Sequence, residues 1–229
     1  MRIGCLVQAR MNSSRLPGKV TGDLCGKPLL QYVFERLERV PGLDFHVVAT
    51  SSGPADEAIR EFCVAHGVPC FSGPLDDVAL RFVRALQAHP CDGFVRYCAD
   101  SPLVDVALLS RGVALFREHD VDLVTNVHPR TFPSGQSVEV VRASTFEQAY
   151  PRMRGDELEH NTLYFYNNAS KFRILNFESG MSRDERCLSV NTDCDHRRLA
   201  GMIARMDRPH WQYGWRELLE LCGCTEAEA

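Results

Sequence analysis

From residue 3 to residue 127 the chain alternates short apolar runs with segments whose apolar residues recur at helical spacing. Few folds accept that order. Ile3 to Ala9, FHVVAT (45–50), VPCF (68–71), FVRYC (94–98) and DLVTNV (122–127) read as buried strands. Between them, helices are expected over Pro28 to Val40, residues 55–66 ending at Gly67, about 76–88 and about 105–118. Strand and helix alternating at these lengths imply βαβ units, hence an α/β fold with a mostly parallel central sheet and helices on both faces. After residue 127 the pattern changes: SGQSVEVV (134–141) and FRILNF (172–177) alternate like strands around a helical TFEQAY (145–150), as in a small antiparallel insertion. LSVNTDCDHRRLAGMIARM then predicts a short strand, a turn with Thr192 or Asp193 as helix cap, and a closing helix.

In parallel sheets of this kind, ligands bind where loops converge at the carboxyl ends of the strands. The expected loops there are QARMNSSRLPGKV (8–20), TSSG (50–53), SGPLDD (72–77) and ADSP (99–102). The first holds Arg10, Arg15 and Lys19 with no acidic residue, and its small Ser13, Ser14 and Gly18 let backbone N–H groups approach an anion. It departs from the Walker A pattern, which needs Gly at Ser13 and Ser or Thr at Val20, and the chain holds no GxGxxG dinucleotide fingerprint. A solvated surface loop is the plainer alternative.

Asp100, directly after FVRYC, stands where a carboxylate would hold Mg²⁺ against a nucleotide, or where it would cap the helix after Pro102. Asp193 and Asp195 in NTDCDH are further oxygen ligands or turn formers, and Glu159 with His160 form another polar group. The net charge of −4, with basic residues dispersed, argues against a nucleic-acid binder, so an anion site must be local. No apolar stretch approaches the roughly 20 residues that span a bilayer, and the first ten residues do not read as a signal peptide, so a cytoplasmic location is expected. Ten cysteines without a CxxC pair, in a chain long enough for its own core, read as reduced thiols rather than disulfides or a zinc site.

With these segments laid out, the sequence resembles the cytidylyltransferases of the nucleotide-diphospho-sugar transferase superfamily. The likeness is to the spore coat polysaccharide biosynthesis group, relatives of the CMP-sialic acid and CMP-KDO synthetases. QARMNSSRLPGKV, SGPLDDVALRF, VRYCADSPLVD, FPSGQSVEVV, LEHNTLYFYNN and LSVNTDCD carry it, in order, over nearly the whole chain. The resemblance implies one cytidylyltransferase domain over 1–229, with an acceptor-binding and dimerising insertion at about 128–187. It implies that CTP is bound by Gln8, Ala9, Arg10, Ser14, Arg15, Lys19, Thr50, Ser51, Gly73, Asp77, Arg81 and Asp100. Of these, Arg15, Lys19 and Asp100 are the catalytic expectation, and Gly135, Glu139, Glu159, His160 and Thr162 fall on the acceptor side.

Mg²⁺ is the implied cofactor, on Asp100 with Asn191 or Asp193. The family's last signature usually runs Val-Asp-Thr, whereas here Val190 is followed by Asn191, an amide that brings no charge. The implied reaction moves CMP from CTP to a small acidic acceptor, a sugar acid or a phosphate or phosphonate, in a homodimer with neither nucleic acid nor membrane as partner. A phosphate acceptor needs no general base, while a sugar hydroxyl would need one, with Asp193 or His160 as candidate. Arg130, Arg154, Lys171, Arg173 and Arg183 form either an acceptor anion pocket or a solvated face. Use of another NTP, or nucleotide binding without catalysis, stays open.

Overall fold

The computed structural model describes residues 1–182 and 184–223; Arg183 and Cys224 lie outside the described residues. Strand β1 (Ile3–Gln8) opens the fold, and a ribbon of β2 (Asp23–Leu24) and β3 (Lys27–Pro28) leads into α1 (Leu29–Leu37). Then follow β4 (Phe45–Ser51), α2 (Glu57–Ala65), β5 (Cys70–Gly73), α3 (Val78–Ala88), β6 (Gly93–Cys98), α4 (Val106–Glu118) and β7 (Leu123–Thr125). Apart from the β2–β3 ribbon, which periodicity does not mark, each lies within about three residues of its expected segment.

The main sheet runs β5-β4-β1-β6, then β8 (Glu139–Arg142), β7 and β9 (Ile174–Asn176). Strands β1, β4, β5 and β6 pair in parallel, as do β7 and β9. Strand β8 runs antiparallel to both neighbours. The antiparallel strand expected in the insertion at about 128–187 is therefore a member of the central sheet, where Val140 and Val141 pair with Val95 and Phe94. Burial on both faces drives this: Val140 and Val141 point to opposite cores and neither is exposed.

Alternate side chains of each strand feed two cores. Cys5, Val7, Val95 and Tyr97 pack with α1, α2, α4 and later helices, and Leu6, Val47, Ala49 and Phe94 pack with α3 and α5 (Ala143–Ala149). Two short helices, α6 (Asp156–Glu159) and α7 (Leu163–Asn167), precede β9. Residues 188–190 form no strand. They are held by Leu188 N–H on Ser134 O (2.8 Å) and Val190 N–H on Asp100 O (2.7 Å), which brings the last signature against the loop after β6.

Helix α8 (Asp193–Ala204) begins at a capping box, with Thr192 as cap and Asp195 reaching back. A further helix, α9 (Trp215–Gly223), follows it and packs Leu218 and Leu219 into the first core. No described helix is long and apolar enough to cross a membrane.

The chain leaves β1 for β4 and β5 on one side, then returns to place β6 on the other side of β1. The crevice outside the carboxyl ends of β1 and β6 is thus the topological switch point, where doubly wound sheets bind ligands. Gln8 and Cys98 pair across it, and Ala99 N–H bonds Gln8 O at 3.0 Å.

Candidate active site

A cavity of about 470 Å³ opens at this switch point. Gln8, Ala9, Arg10, Ser13, Ser14, Arg15 and Lys19 line it from the loop after β1, and Asp100 from the loop after β6. Glu159, His160 and Asn191 close the opposite wall.

The loop's path is set by two anchors. Met11 N–H donates to Asp56 Oδ1 at 2.7 Å, and Gly18, at φ 75°, returns its N–H to Met11 O at 2.9 Å. Asp56 is buried yet also accepts from Ser51 N–H (3.0 Å) and Ser51 Oγ. Burial alone would raise its pKa, but these hydrogen bonds outweigh it and hold the carboxyl below its ordinary range.

Each cation of the loop meets an acceptor across the cleft. Lys19 Nζ, on a side chain only 9 % exposed, donates to Val190 O at 2.6 Å and to Asp100 Oδ2 at 3.4 Å. Arg15 Nη2 donates to Asn191 Oδ1 at 3.0 Å, and Arg10 Nη2 to Glu159 Oε1 at 2.8 Å. Three cationic groups thus converge on one space, held by contacts that a polyanion's oxygens can replace.

Asp100 does not cap the following helix. Asp105 does, accepting Ala107 N–H at 2.7 Å, which leaves Asp100 facing the cavity with Ser101 Oγ on Oδ1 at 3.2 Å. Asp193 is exposed in the first turn of α8 and does not line the cavity, whereas Asn191 does. Among the described residues no three His, Cys, Asp or Glu gather to hold a metal ion by themselves. One carboxylate beside a neutral amide suits a hard divalent cation that takes its remaining ligands from phosphates and water, so the donor set fits Mg²⁺ with Asp100 as anchor.

The remaining expected residues stand behind this front row. Asp77 caps α3 by accepting Leu80 N–H at 2.7 Å and also accepts Tyr150 OH at 3.0 Å. Gly73 ends β5, and Thr50 and Ser51 are buried at the end of β4. Arg81 is fully buried with all three guanidinium nitrogens unbonded, and burial lowers its pKa. Thr162 is buried before α7. Of the expected acceptor cations, Arg154 bonds Pro151 O and Met153 O, Lys171 bonds Asn168, and Arg173 bonds Asp120 and Asp122, so these three do not converge.

A second cavity of about 200 Å³ adjoins the first and shares Arg96, Cys98 and Asp100 with it. Gly135 lines it, at φ 86° and so close to the crossing chain that a Cβ would lie 2.5 Å from the Leu188 carbonyl carbon. Glu139 lies behind, accepting from Arg96 Nη1 (3.3 Å) and Tyr166 OH (2.5 Å). Arg96 and Asp56 escape the sequence reading. A charge inside the apolar run FVRYC is the one signal for Arg96, and nothing local marks Asp56.

Comparison with known proteins bears on this arrangement. Residues 4–198 match the family model described as cytidylyltransferase. The chain is 29% identical over 180 residues to the spore coat polysaccharide biosynthesis protein SpsF of Bacillus subtilis (strain 168), covering 76% of this chain and 74% of that protein. It is 29% identical over 184 residues to a 3-deoxy-manno-octulosonate cytidylyltransferase of Anaeromyxobacter sp. (strain K), covering 79% and 69%. In structure it is similar to a cytidylyltransferase from Leptospira borgpetersenii serovar Hardjo-bovis (strain JB197), with a TM-score of 0.92, 28% identity, and 98% and 94% of the two chains covered.

Proposed function

The chain belongs to the cytidylyltransferase family, a family of CTP-dependent nucleotidyltransferases, and from that premise we propose that it moves CMP from CTP to a small acidic acceptor, releasing pyrophosphate. The observation that carries the reading is the meeting of Arg10, Arg15 and Lys19 with Asp100 in one cavity at the switch point.

CTP's triphosphate takes the place of the cross-cleft acceptors. Arg15 exchanges Asn191 Oδ1, and Lys19 exchanges part of its contact with Asp100, for phosphate oxygens. Lys19 stays tethered to Val190 O, so its charge is already positioned when negative charge builds on the leaving pyrophosphate. Asp100 would hold Mg²⁺, which would supply charge neutralisation on the transferring group. Before CTP binds, Asn191 Oδ1 holds Arg15 at the cavity, and Asn191 Nδ2 is itself fixed by Ser189 Oγ at 3.1 Å.

The test is pyrophosphate release from CTP with a panel of sugar acids, phosphates and phosphonates. The sugar acid in the name of the Anaeromyxobacter relative belongs in that panel. Arg15→Ala or Lys19→Ala should lower kcat/KM at least ~10²-fold, as loss of one preorganised donor does. Undiminished turnover would sink the phosphate-loop role. Thermal shifts across the four NTPs should show stabilisation by CTP above the others, since ligands stabilise by mass action. We further propose a homodimer formed through residues 128–187, a reading supported by the position of β9 at an outer edge of the sheet. Sedimentation velocity giving only the monomer's mass at micromolar concentration would count against it.

A further inference from the structure

We propose that the second cavity binds the acceptor as a phosphate or phosphonate monoester, whose own ionised oxygen attacks the α-phosphorus of CTP. This rests on the cytidylyl-transfer reading and names the nucleophile for it.

The lining of that cavity is built for oxyanion oxygens. Ser134, Ser137 and Ser189 line it with hydroxyl groups, Ser101 gives its own hydroxyl to Asp100, and Arg96 stands at its junction with the nucleotide cavity. Arg96 is under-satisfied for a side chain only 14 % exposed. Its Nε is buried without a partner, and its two terminal nitrogens make bonds of 3.3 Å, to Glu139 and to Gln8. Buried donors left short of partners are costly, and a planar guanidinium matches phosphate geometry. Asp100 also borders the cavity, and Lys19 offsets its charge.

The walls are fixed in advance. Gln136, fully buried, accepts Asp105 N–H at 2.8 Å, donates to Leu103 O at 2.9 Å, and takes Asn126 Nδ2 on its backbone oxygen at 2.8 Å. That clamp holds residues 134–137 in place, and Gly135 lets the chain pass against residues 188–189.

The lining of this cavity supplies no uncommitted base for a hydroxyl nucleophile. Among the described residues that line the cavity, the titratable groups are Arg96, Tyr97, Cys98 and Asp100. Tyr97 OH donates to Ser101 O at 2.7 Å, so its proton is already placed. Asp100 accepts from Ser101 Oγ and is the carboxylate that would hold Mg²⁺. His160 lines only the first cavity, beside Glu159, and Asp193 lines neither. Within this cavity a sugar hydroxyl would meet no uncommitted acceptor for its proton. A phosphate monoester, with a second pKa of about 6, arrives already ionised.

The step balances without a base. One acceptor oxygen forms a new bond to the α-phosphorus, the bond from that phosphorus to the bridging oxygen breaks, and pyrophosphate leaves with the electron pair. The product carries a P–O–P linkage.

The experiment uses the full chain saturated with a CTP analogue whose α,β-bridging oxygen is a methylene, so that the triphosphate site is blocked. Calorimetric titration with inorganic phosphate and methylphosphonate should show binding that acetate does not. Arg96→Lys, at the junction of the two cavities, should weaken that binding at least tenfold, more than it weakens binding of the analogue. Ser134→Ala, which leaves the Arg96–Glu139 pair intact and lines the second cavity without lining the first, should weaken it severalfold and leave the affinity for the analogue within about twofold. Phosphate that does not bind, or binds equally well to both variants, overturns the proposal. In turnover with CTP, glycerol phosphate should give a phosphorus NMR spectrum with coupled P–O–P resonances. Reaction of 3-deoxy-manno-octulosonate alone, through its hydroxyl, would overturn the phosphate nucleophile while leaving cytidylyl transfer standing. Failure of the analogue to bind the wild-type chain would overturn the transfer reading itself.

Discussion

Asp100 and Asp105 sit five residues apart in one loop with unrelated tasks. Asp105 caps α4 through Ala107 N–H and also accepts Trp215 N–H at 2.9 Å, tying the start of α9 to that loop. Asp105→Ala should therefore cost about 2 kcal/mol, a cap plus one buried donor left unpaired, read from urea unfolding. Asp100→Asn removes no cap. It should leave the urea midpoint nearly unchanged while pyrophosphate release from CTP falls at least ~10²-fold. The opposite pattern, lost stability with retained turnover, would return Asp100 to a structural role. From sequence both tasks fit Asp100, because a carboxylate two residues before a proline suits a cap as well as a ligand. The choice turned on where the helix starts, and helix starts are set by tertiary contacts that local sequence does not carry.

At the scale of elements, the strands and helices up to residue 127 were legible because burial on both faces leaves unbroken apolar runs. The place of β8 inside the main sheet and the parallel sense of β9 were not, since alternation reports burial and not the partner or sense of pairing. Nor was the fixing of the loop after β1 by Asp56, which contacts Met11 across 45 residues. Asp56→Ala should leave the Met11 and Ser51 N–H groups without their acceptor. The expected result is a rise of about tenfold or more in KM for CTP, larger than any fall in kcat, because the loop loses its preset path. Equal KM values would show that the loop holds its shape without that anchor. Gly135 is a second element-level constraint. Gly135→Ala combines a left-handed backbone with a Cβ pressed against the Leu188 carbonyl carbon, and should destabilise by about 2–4 kcal/mol in chemical unfolding.

Across the whole molecule, α1 is joined to the chain between α8 and α9 by a buried polar clamp. Arg36, fully buried, donates to Val104 O at 2.9 Å and to His210 O, and its Nε meets His210 Nδ1 at 3.3 Å. That contact assigns the proton of neutral His210 to Nε2, which donates to Glu35 Oε2 at 2.7 Å. Burial pushes the His210 pKa down to about 4, against the partial opposition of Glu35. The unfolded chain, with an ordinary histidine near 6.5, therefore binds more protons than the folded one between those values. Stability is complete above about pH 6.5 and falls as the pH drops toward 4. From pH 7.5 to 5.0 this group alone should remove about 2 kcal/mol, measured by urea unfolding at the two pH values. His46, whose pKa is also lowered by burial, adds a loss of the same sign. His210→Gln can keep the hydrogen bond to Glu35 without titrating, so the variant should lose about 2 kcal/mol less than the wild type over that interval. An acid profile identical to that of the wild type would mean that His210 takes up its proton in the fold as it does in the unfolded chain, and would remove the neutral clamp as the source of acid sensitivity.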